Sequence, residues 1–216
     1  MVAMFLHVLA HDVKSRVIQR EFVRSEETVS RHFNIILLVV LRLYDELIKK
    51  LVPITNNCTD QRWKCFKNFL GALDGTYIKF DLPAVDRPTF RMRKGKITTN
   101  VLGICNMKRD FVYVLAGWEG SAADSWILRD ALARHNRLIL LFVRCGLSKC
   151  WNFFCLIQSE SYHLQEWRGP ENAPTTAKEY FNMKHSFTRN VIESAFGVPK
   201  GHWAILRGKS YYPLQV

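Results

Sequence analysis

Residues 70–80 (LGALDGTYIKF) combine strand-forming side chains with a carboxylate in the middle of the stretch. The aromatic and β-branched residues favour a β-strand, whereas aspartate is uncommon in strands because its charge resists burial. Asp74 therefore needs a polar partner, and a cation is one candidate. Gly75 permits a bulge or a close approach to the backbone. The alternative is that the chain turns at these two residues and that the carboxylate is solvated.

Charge and composition narrow the class of partner. The chain has 216 residues, 48% of them hydrophobic, with 31 lysines and arginines against 19 acidic residues, a formal net charge of +12. Such a chain can bury a sizeable core, and a folded domain this basic usually meets a polyanion, most often nucleic acid. A membrane surface is the second candidate, but the longest apolar run, residues 35–41, is too short to span a bilayer. We therefore expect DNA as partner and no membrane.

The first 52 residues show helical spacing of apolar residues and form one predicted segment, followed by a polar linker over residues 53–62. Ser25 is expected to cap a long helix that runs to Ile48. A short basic helix before it suits a helix-turn-helix-like module that contacts DNA. Its basic residues are Lys14, Arg16, Arg20 and Arg24. An ordinary helical bundle with basic solvent-facing residues explains the same pattern.

Residues 63–216 are expected to form a second domain. Strand-like runs at 73–80, 97–105 and 111–115 predict three sequential strands, and residues 117–120 predict a tight loop after them. The loop at 91–96 is compact and cationic, which suits phosphate groups. Its basic residues are Arg91, Arg93, Lys94 and Lys96. A solvated hairpin turn is the alternative explanation of this loop.

Two helices are expected after the strands. The spacing of Ser121 and Asp124 predicts a capping box before a helix over residues 125–134. Asp124 is better explained as a helix-start carboxylate than as a metal ligand. A later helix over residues 187–196 is expected to end before Pro199, because proline breaks helices.

Seven short motifs follow one another along the chain. They are 71–76 (GALDGT), 93–95 (RKG), 99–103 (TNVLG), 117–125 (GWEGSAADS), 162–167 (YHLQEW), 181–186 (FNMKHS) and 189–197 (RNVIESAFG). In this order they resemble the plant transposase-derived nucleases of the PIF/Harbinger type, whose catalytic region is a DDE-type endonuclease domain. The resemblance covers nearly the whole chain, including its N-terminal helices.

This resemblance implies an α/β fold, a ribonuclease-H-like mixed sheet with surrounding helices, preceded by the helix-turn-helix-like segment. It implies a DNA endonuclease in which three carboxylates hold two Mg²⁺ or Mn²⁺ ions that activate water and stabilise the leaving oxygen. Asp74 matches the first catalytic carboxylate and Glu193 the third. The resemblance also implies a nuclear location and a separate Myb/SANT-like DNA-binding protein as partner.

The second family carboxylate, in an Asp-Ala-Gly-Tyr-Pro-Asn motif, is missing, and residues 144–149 read RCGLSK instead. One codon set for these six residues encodes the family motif when it is read one nucleotide later. We therefore expect that a local frameshift or gene-model error altered residues 136–159. Asp124 is the nearest substitute ligand. Ser194 also stands where the family has a basic residue.

These departures predict impaired catalysis, as two carboxylates hold metals more weakly than three. Residues 198–201 (VPKG) also differ from the family's helix, and the chain ends at Val216, short of the family's terminal helices. Whether the chain is an enzyme is thus left open. The alternatives are a non-catalytic DNA- or protein-binding module, or a mispredicted product without a stable function.

Overall fold

The computed structural model describes residues 1–48, 59, 71–92, 95–134, 173–208 and 210, and the structural statements that follow concern these residues. Their helices are α1 (Val2–His11), α2 (Ser15–Phe22), α3 (Glu26–Arg42), α4 (Tyr44–Leu47), α5 (Asp124–Ala133) and α6 (Ala177–His202), and the strands are β1 (Ala72–Lys79), β2 (Thr98–Cys105) and β3 (Phe111–Glu119). A 3₁₀ turn (Ala204–Leu206) follows α6. No helix in these ranges is long and apolar enough to cross a membrane.

Helices α1, α2 and α3 pack around a small apolar core of their own, which contains Met4, Val8, Ile18 and Val29. Ser25 caps α3 as predicted, because its side chain accepts a hydrogen bond from the Thr28 backbone N–H at 3.3 Å. The prediction that this helix runs unbroken to Ile48 is wrong. Leu43 has ψ −2°, which interrupts the regular helix between α3 and α4.

The N-terminal helices also contact the residues that follow α6. Helix α1 packs against the 3₁₀ turn, and a Cβ on Gly208 would lie 2.7 Å from Asp12 Oδ2. The division into segments 1–52 and 63–216 and the helix-turn-helix geometry stay predictions. Of the predicted linker 53–62, only Thr59 belongs to the described residues.

The three strands form an antiparallel sheet in the order β1-β2-β3, at the positions predicted from the sequence. The prediction of a tight loop at residues 117–120 is wrong, because β3 continues to Glu119. Past a bulge in the β2–β3 ladder, Trp118 still pairs with Asn100 and Glu119 with Thr99. The mixed sheet of a ribonuclease-H-like fold stays a prediction.

The two faces of this sheet carry different layers. One face packs on α5 through a cluster of eight buried residues that includes Leu102, Ile104 and Ile127. The other face packs on α6 through Ala72, Cys105, Val191, Ile192 and Ala195. Side chains alternate along a strand, so β1 presents Ala72 and Asp74 to the same face, the one that α6 covers.

Helix α5 begins at Asp124 without the predicted capping box. Its N-cap is Ala123, and no side chain caps it. Ser121 lies two residues too early, since the chain is still in a turn there, with the Ala122 N–H donating to the Glu119 carbonyl at 3.0 Å. The side chain of Asp124 lies outside the described part of the structure.

The prediction that Pro199 ends the late helix is wrong, as α6 continues to His202. Proline removes one N–H donor and crowds the preceding turn. Pro199 lies in the last turn, and other contacts hold that turn. The His202 ring nitrogen Nδ1 lies 2.9 Å from the Val198 carbonyl, and the Trp203 N–H donates to the Pro199 carbonyl at 2.8 Å.

Candidate active site

Asp74 lies within β1, and only 22% of its side chain is exposed. Its Oδ1 accepts a hydrogen bond from the Gly75 N–H at 2.8 Å, and its Oδ2 lies 3.6 Å from Nε of Arg189 on α6. The alternative of a solvated turn residue is therefore wrong. Asp74 is a largely buried strand carboxylate with a cationic neighbour, as its place in an apolar strand requires.

Glu193 reaches the same guanidinium from one helical turn further along α6. The Arg189 Nε donates to Glu193 Oε1 at 2.9 Å, an i,i+4 pair on one helix face. The two carboxylates predicted as first and third ligands thus contact one nitrogen atom. Asp74 Oδ2 and Glu193 Oε1 therefore lie no farther apart than the sum of their two distances to this nitrogen.

Helix α6 comes this close to β1 because β2 has a glycine opposite Asp74. Gly103 pairs with Asp74 across the sheet, and a Cβ on Gly103 would lie 2.5 Å from the Phe196 ring. The bare backbone lets Phe196 pack directly on the sheet, where its ring lies 5.1 Å from that of Phe111. Glu193, three residues before Phe196, is carried towards Asp74 by this contact.

A second polar contact fixes the far end of the same helix. The Lys200 Nζ donates to Thr76 Oγ1 at 2.5 Å and to the Tyr77 carbonyl at 3.2 Å. Burial lowers the pKa of Lys200. Arg189, Glu193, Phe196 and Lys200 follow one another at helical spacing, so one stripe of α6 faces β1 and β2.

The start of α6 is fixed by a capping box. The Thr176 side chain accepts from the Glu179 N–H at 3.1 Å, and the Glu179 carboxylate accepts from the Thr176 N–H at 3.1 Å. Hydrogen bonds to its carboxylate, first from the Thr175 N–H and then from the Thr176 N–H, lower the pKa of Glu179. Such a cap sets where the helix begins and therefore which residues face β1.

A cleft of about 370 Å³ lies beside Glu193. Its lining residues are Arg109, Phe187, Asn190, Val191, Glu193 and Ser194. Arg109 comes from the β2–β3 turn, where it adopts φ 70°. Ser194, where the family resemblance predicts a basic residue, thus borders the same cleft as the candidate carboxylate.

The sequence reasoning missed Arg189 as a member of this site. Its spacing of four residues before Glu193 was the available signal, because such pairs meet on a helix surface. Nothing local to the sequence indicated that the same side chain reaches Asp74.

The described residues do not fit the metal centre that the family resemblance implies. They contain no group of three His, Cys, Asp or Glu side chains that could hold a metal ion. Two carboxylates converge, but the guanidinium of Arg189 contacts both. Cys105, which packs beneath α6, does not extend the set, since burial raises its pKa to about 12 and the thiol stays protonated. Residues 136–159, where the second carboxylate was sought, lie outside the described ranges.

The predicted DNA-contacting residues are exposed wherever their side chains are described. This holds for Lys14, Arg16, Arg20, Arg24, Arg91 and Lys96, whereas Arg93 and Lys94 lie outside the described residues. The loop at 91–96 closes as a turn, with the Met92 N–H donating to the Lys96 carbonyl at 2.9 Å. That geometry fits the hairpin alternative and leaves phosphate contact a prediction.

Comparisons with known proteins place this site in context. A family model described as "DDE superfamily endonuclease" matches residues 73–215, and one described as a domain of unknown function (DUF8040) matches residues 1–42. "Putative nuclease HARBI1" of Homo sapiens and that of Bos taurus are each 28% identical over 130 residues, 59% of this chain and 34% of the relative. The Mus musculus protein of that name is 29% identical over 127 residues, 57% of this chain and 34% of its own length. The chain thus spans about a third of the length of these relatives, and no solved structure matches it.

Proposed function

Because this chain belongs to the DDE superfamily endonuclease family, we propose that it is a transposase-derived domain that hydrolyses phosphodiester bonds in DNA. The strongest support is the convergence of Asp74 and Glu193 on Arg189, since these two carboxylates come from distant parts of the matched region. A strand carboxylate and a helix carboxylate on one sheet face are the arrangement expected of such a site.

Catalysis in this chain depends on Mg²⁺ or Mn²⁺ and is impaired. Endonucleases of this superfamily generally use divalent metals, whose preferred ligands are carboxylate oxygens. The described residues supply two such carboxylates, and a guanidinium contacts both. Asp124 stays a candidate substitute ligand at the start of α5.

Loss of the second carboxylate follows from a frame change within residues 136–159. Reading the genomic DNA over this stretch tests the idea directly. We expect an adjacent frame to encode Asp-Ala-Gly-Tyr-Pro-Asn. If no frame there encodes that motif, the second carboxylate was lost in some other way.

DNA is the proposed substrate because the chain has a net charge of +12 and its described basic candidates are exposed. The helical segment supplies Lys14, Arg16, Arg20 and Arg24, and the 91–96 loop supplies Arg91, Arg93, Lys94 and Lys96. A nuclear location and a Myb/SANT-like partner that adds sequence recognition complete this proposal.

A plasmid-nicking assay on the full chain tests the enzymatic proposal. With Mn²⁺ or Mg²⁺, we expect slow conversion of supercoiled plasmid to the open circle, and Asp74→Asn abolishes it. The matched control is Asp130→Asn, which removes a carboxylate from α5 on the opposite sheet face. Nicking that persists in Asp74→Asn would show that another site or a contaminant cuts the DNA.

The second candidate function is a non-catalytic DNA- or protein-binding module. The specific observation that favours it is the ion pairing of both candidate carboxylates with Arg189. DNA binding without nicking, equal in the wild type and in Asp74→Asn, would support this module over the enzyme.

A further inference from the structure

The turn between β2 and β3 holds an arginine in a backbone conformation that favours glycine. Arg109 has φ 70°, and a residue with a Cβ adopts this left-handed conformation only at an energetic cost. Short hairpin turns usually place glycine at such a position. Asn106 fixes the turn, because its Oδ1 accepts from the Lys108 and Asp110 N–H groups at 2.8 and 3.0 Å. An arginine in a strained turn position points to a role for its side chain.

The Arg109 side chain lines the cleft beside Glu193. The other lining residues come from α6, where Phe187, Asn190, Val191 and Ser194 lie on one helix face at i, i+3, i+4 and i+7 spacing. Arg109 is exposed, and its guanidinium forms no hydrogen bond or ion pair with the described residues. Its N–H donors are therefore available to an anion that enters the cleft.

The rest of the lining suits a phosphate group. Asn190 and Ser194 contribute an amide and a hydroxyl, which can donate further hydrogen bonds. Glu193 is the one acidic residue among the six that line the cleft, and Arg189 pairs with it at 2.9 Å, which offsets its repulsion of an anion. A guanidinium also matches the geometry of phosphate oxygens, to which it can donate two parallel hydrogen bonds.

We propose that this cleft binds one phosphate group of the DNA backbone, with Arg109 as its cationic ligand and Asn190 and Ser194 as neutral donors. The proposal rests on the proposed function, which makes DNA the ligand. Because Glu193 borders the same cleft, a phosphate bound there lies beside the candidate carboxylate. Arg109 thus adds a DNA contact next to the candidate active site, apart from the basic residues of the helical segment and of the 91–96 loop.

Fluorescence anisotropy of a labelled DNA duplex tests this contact, with the full chain in EDTA and at a series of salt concentrations. Arg109→Gln removes the charge and keeps a polar side chain, so we expect about tenfold weaker binding, the loss of one charge-assisted contact. The slope of log affinity against log salt concentration should shrink by about 0.9, the contribution of one phosphate. Without divalent metal, the measurement does not depend on cleavage.

Lys108→Gln is the matched control. Lys108 is an exposed cation on the same turn and the neighbour of Arg109 in the chain, but it does not line the cleft. This variant changes the net charge by the same amount, and we expect its affinity to stay within about twofold of the wild type, because salt screens charges that make no direct contact. Equal affinities of Arg109→Gln and Lys108→Gln would overturn the proposal.

Arg109→Gly separates binding from folding. Glycine adopts the left-handed conformation without the Cβ cost, so the urea midpoint of this variant should equal or exceed that of the wild type. Its DNA affinity should nevertheless fall as far as that of Arg109→Gln. A purely structural role of Arg109 would not combine undiminished stability with weaker binding. Wild-type affinity in folded Arg109→Gly would overturn the proposal.

The Arg109 Nε–H resonance of the unaltered chain distinguishes a DNA phosphate from a free anion. We expect it to shift when the duplex is added, and to shift less with inorganic phosphate at the same phosphate concentration. A shift with inorganic phosphate but none with DNA would mean that the cleft takes only a small anion, and would overturn the proposal.

The outcomes for this cleft and for the proposed function are distinguishable. A wild type that binds and nicks DNA while Arg109→Gln binds equally well would contradict this proposal alone. A wild type that binds DNA through Arg109 but never nicks it would contradict only the enzymatic function. A wild type that does not bind DNA would contradict both.

Discussion

Two helices pack on opposite faces of the same sheet, and each contributes an i,i+4 arginine–carboxylate pair that reaches a strand. On α5, the Asp130 carboxylate accepts from Arg134 at 2.8 Å and from the Trp118 indole N–H at 2.9 Å. On α6, the Arg189 guanidinium contacts Glu193 and Asp74. On the α5 face one carboxylate accepts from two donors, whereas on the α6 face one guanidinium contacts two carboxylates.

The two clusters therefore pair their charged groups differently. The Trp118–Asp130–Arg134 cluster is neutral overall, so it has no excess charge for a ligand to neutralise. Its hydrogen bonds, led by that from Arg134, lower the pKa of Asp130. In the Asp74–Arg189–Glu193 cluster, two carboxylates contact the same partly exposed guanidinium.

The largest effect is expected from a substitution that disrupts the contact between Gly103 and Phe196, which holds α6 close to β1. In Gly103→Ala, the new Cβ would lie 2.5 Å from the Phe196 ring and 3.0 Å from Phe111, so α6 must move away from β1. We expect a loss of about 1–3 kcal/mol in the free energy of unfolding, measured by urea denaturation. The Trp118 indole resonance, a reporter of the α5 face, should remain in place.

The control for this prediction is Gly197, a glycine on α6 itself. A Cβ on Gly197 would meet nothing within 4 Å, so Gly197→Ala should leave the stability unchanged or raise it by up to about 1 kcal/mol, because alanine favours helices. Equal losses in the two variants would mean that the Gly103 contact does not control how α6 packs.

A smaller effect on the free energy of unfolding is expected when the Asp130 and Asp74 carboxylates are each replaced by an amide. Asp130→Asn should cost about 1–2 kcal/mol at pH 7, because it removes a charge-assisted bond. Asp74→Asn should cost less, since Glu193 then keeps Arg189 for itself and the asparagine oxygen can still accept from Gly75. Urea denaturation of both variants measures the difference. If Asp74→Asn costs as much as Asp130→Asn, the view that Glu193 can hold Arg189 without Asp74 is wrong.

The Asp130→Asn variant also has a pH signature. The pKa of Asp130 is lowered in the folded chain, so its stabilisation is fully present above the ordinary value of 3.8. It is lost as the pH falls through the lowered value. The gap in stability between wild type and Asp130→Asn should therefore close in acid.

The sequence predicted what local pattern and family motifs determine. The three strands and the Ser25 cap depend on residues close together in the chain, and motif order paired Asp74 with Glu193, which the structure brings to one guanidinium. The catalytic roles of these two carboxylates stay predictions. Arg189 escaped prediction as a site member because its second partner is on a distant strand. Likewise, Pro199 fails to end α6 because tertiary contacts hold the last turn, and residues 117–119 extend β3 because β2 offers them partners.

The smallest expected effect concerns Lys200, the anchor that holds the end of α6 to β1. Lys200→Met removes two hydrogen bonds, to Thr76 and Tyr77, but also a partly buried charge, so the net change at pH 7 should stay within about 1 kcal/mol. Chemical denaturation of wild type and variant at a series of pH values measures it. The exposed Lys178, at the start of the same helix, provides the control Lys178→Met.

The sign of the pH dependence follows from the lowered pKa of Lys200. Between its folded value and the ordinary 10.5, the unfolded chain binds the proton more readily than the folded chain does. The wild type should therefore gain stability relative to Lys200→Met as the pH rises through that window, and the gain should level off above about 10.5. A flat difference would mean that the ammonium group is not desolvated against β1, and that the apolar contacts of α6, rather than this polar anchor, fix the helix end beside Asp74.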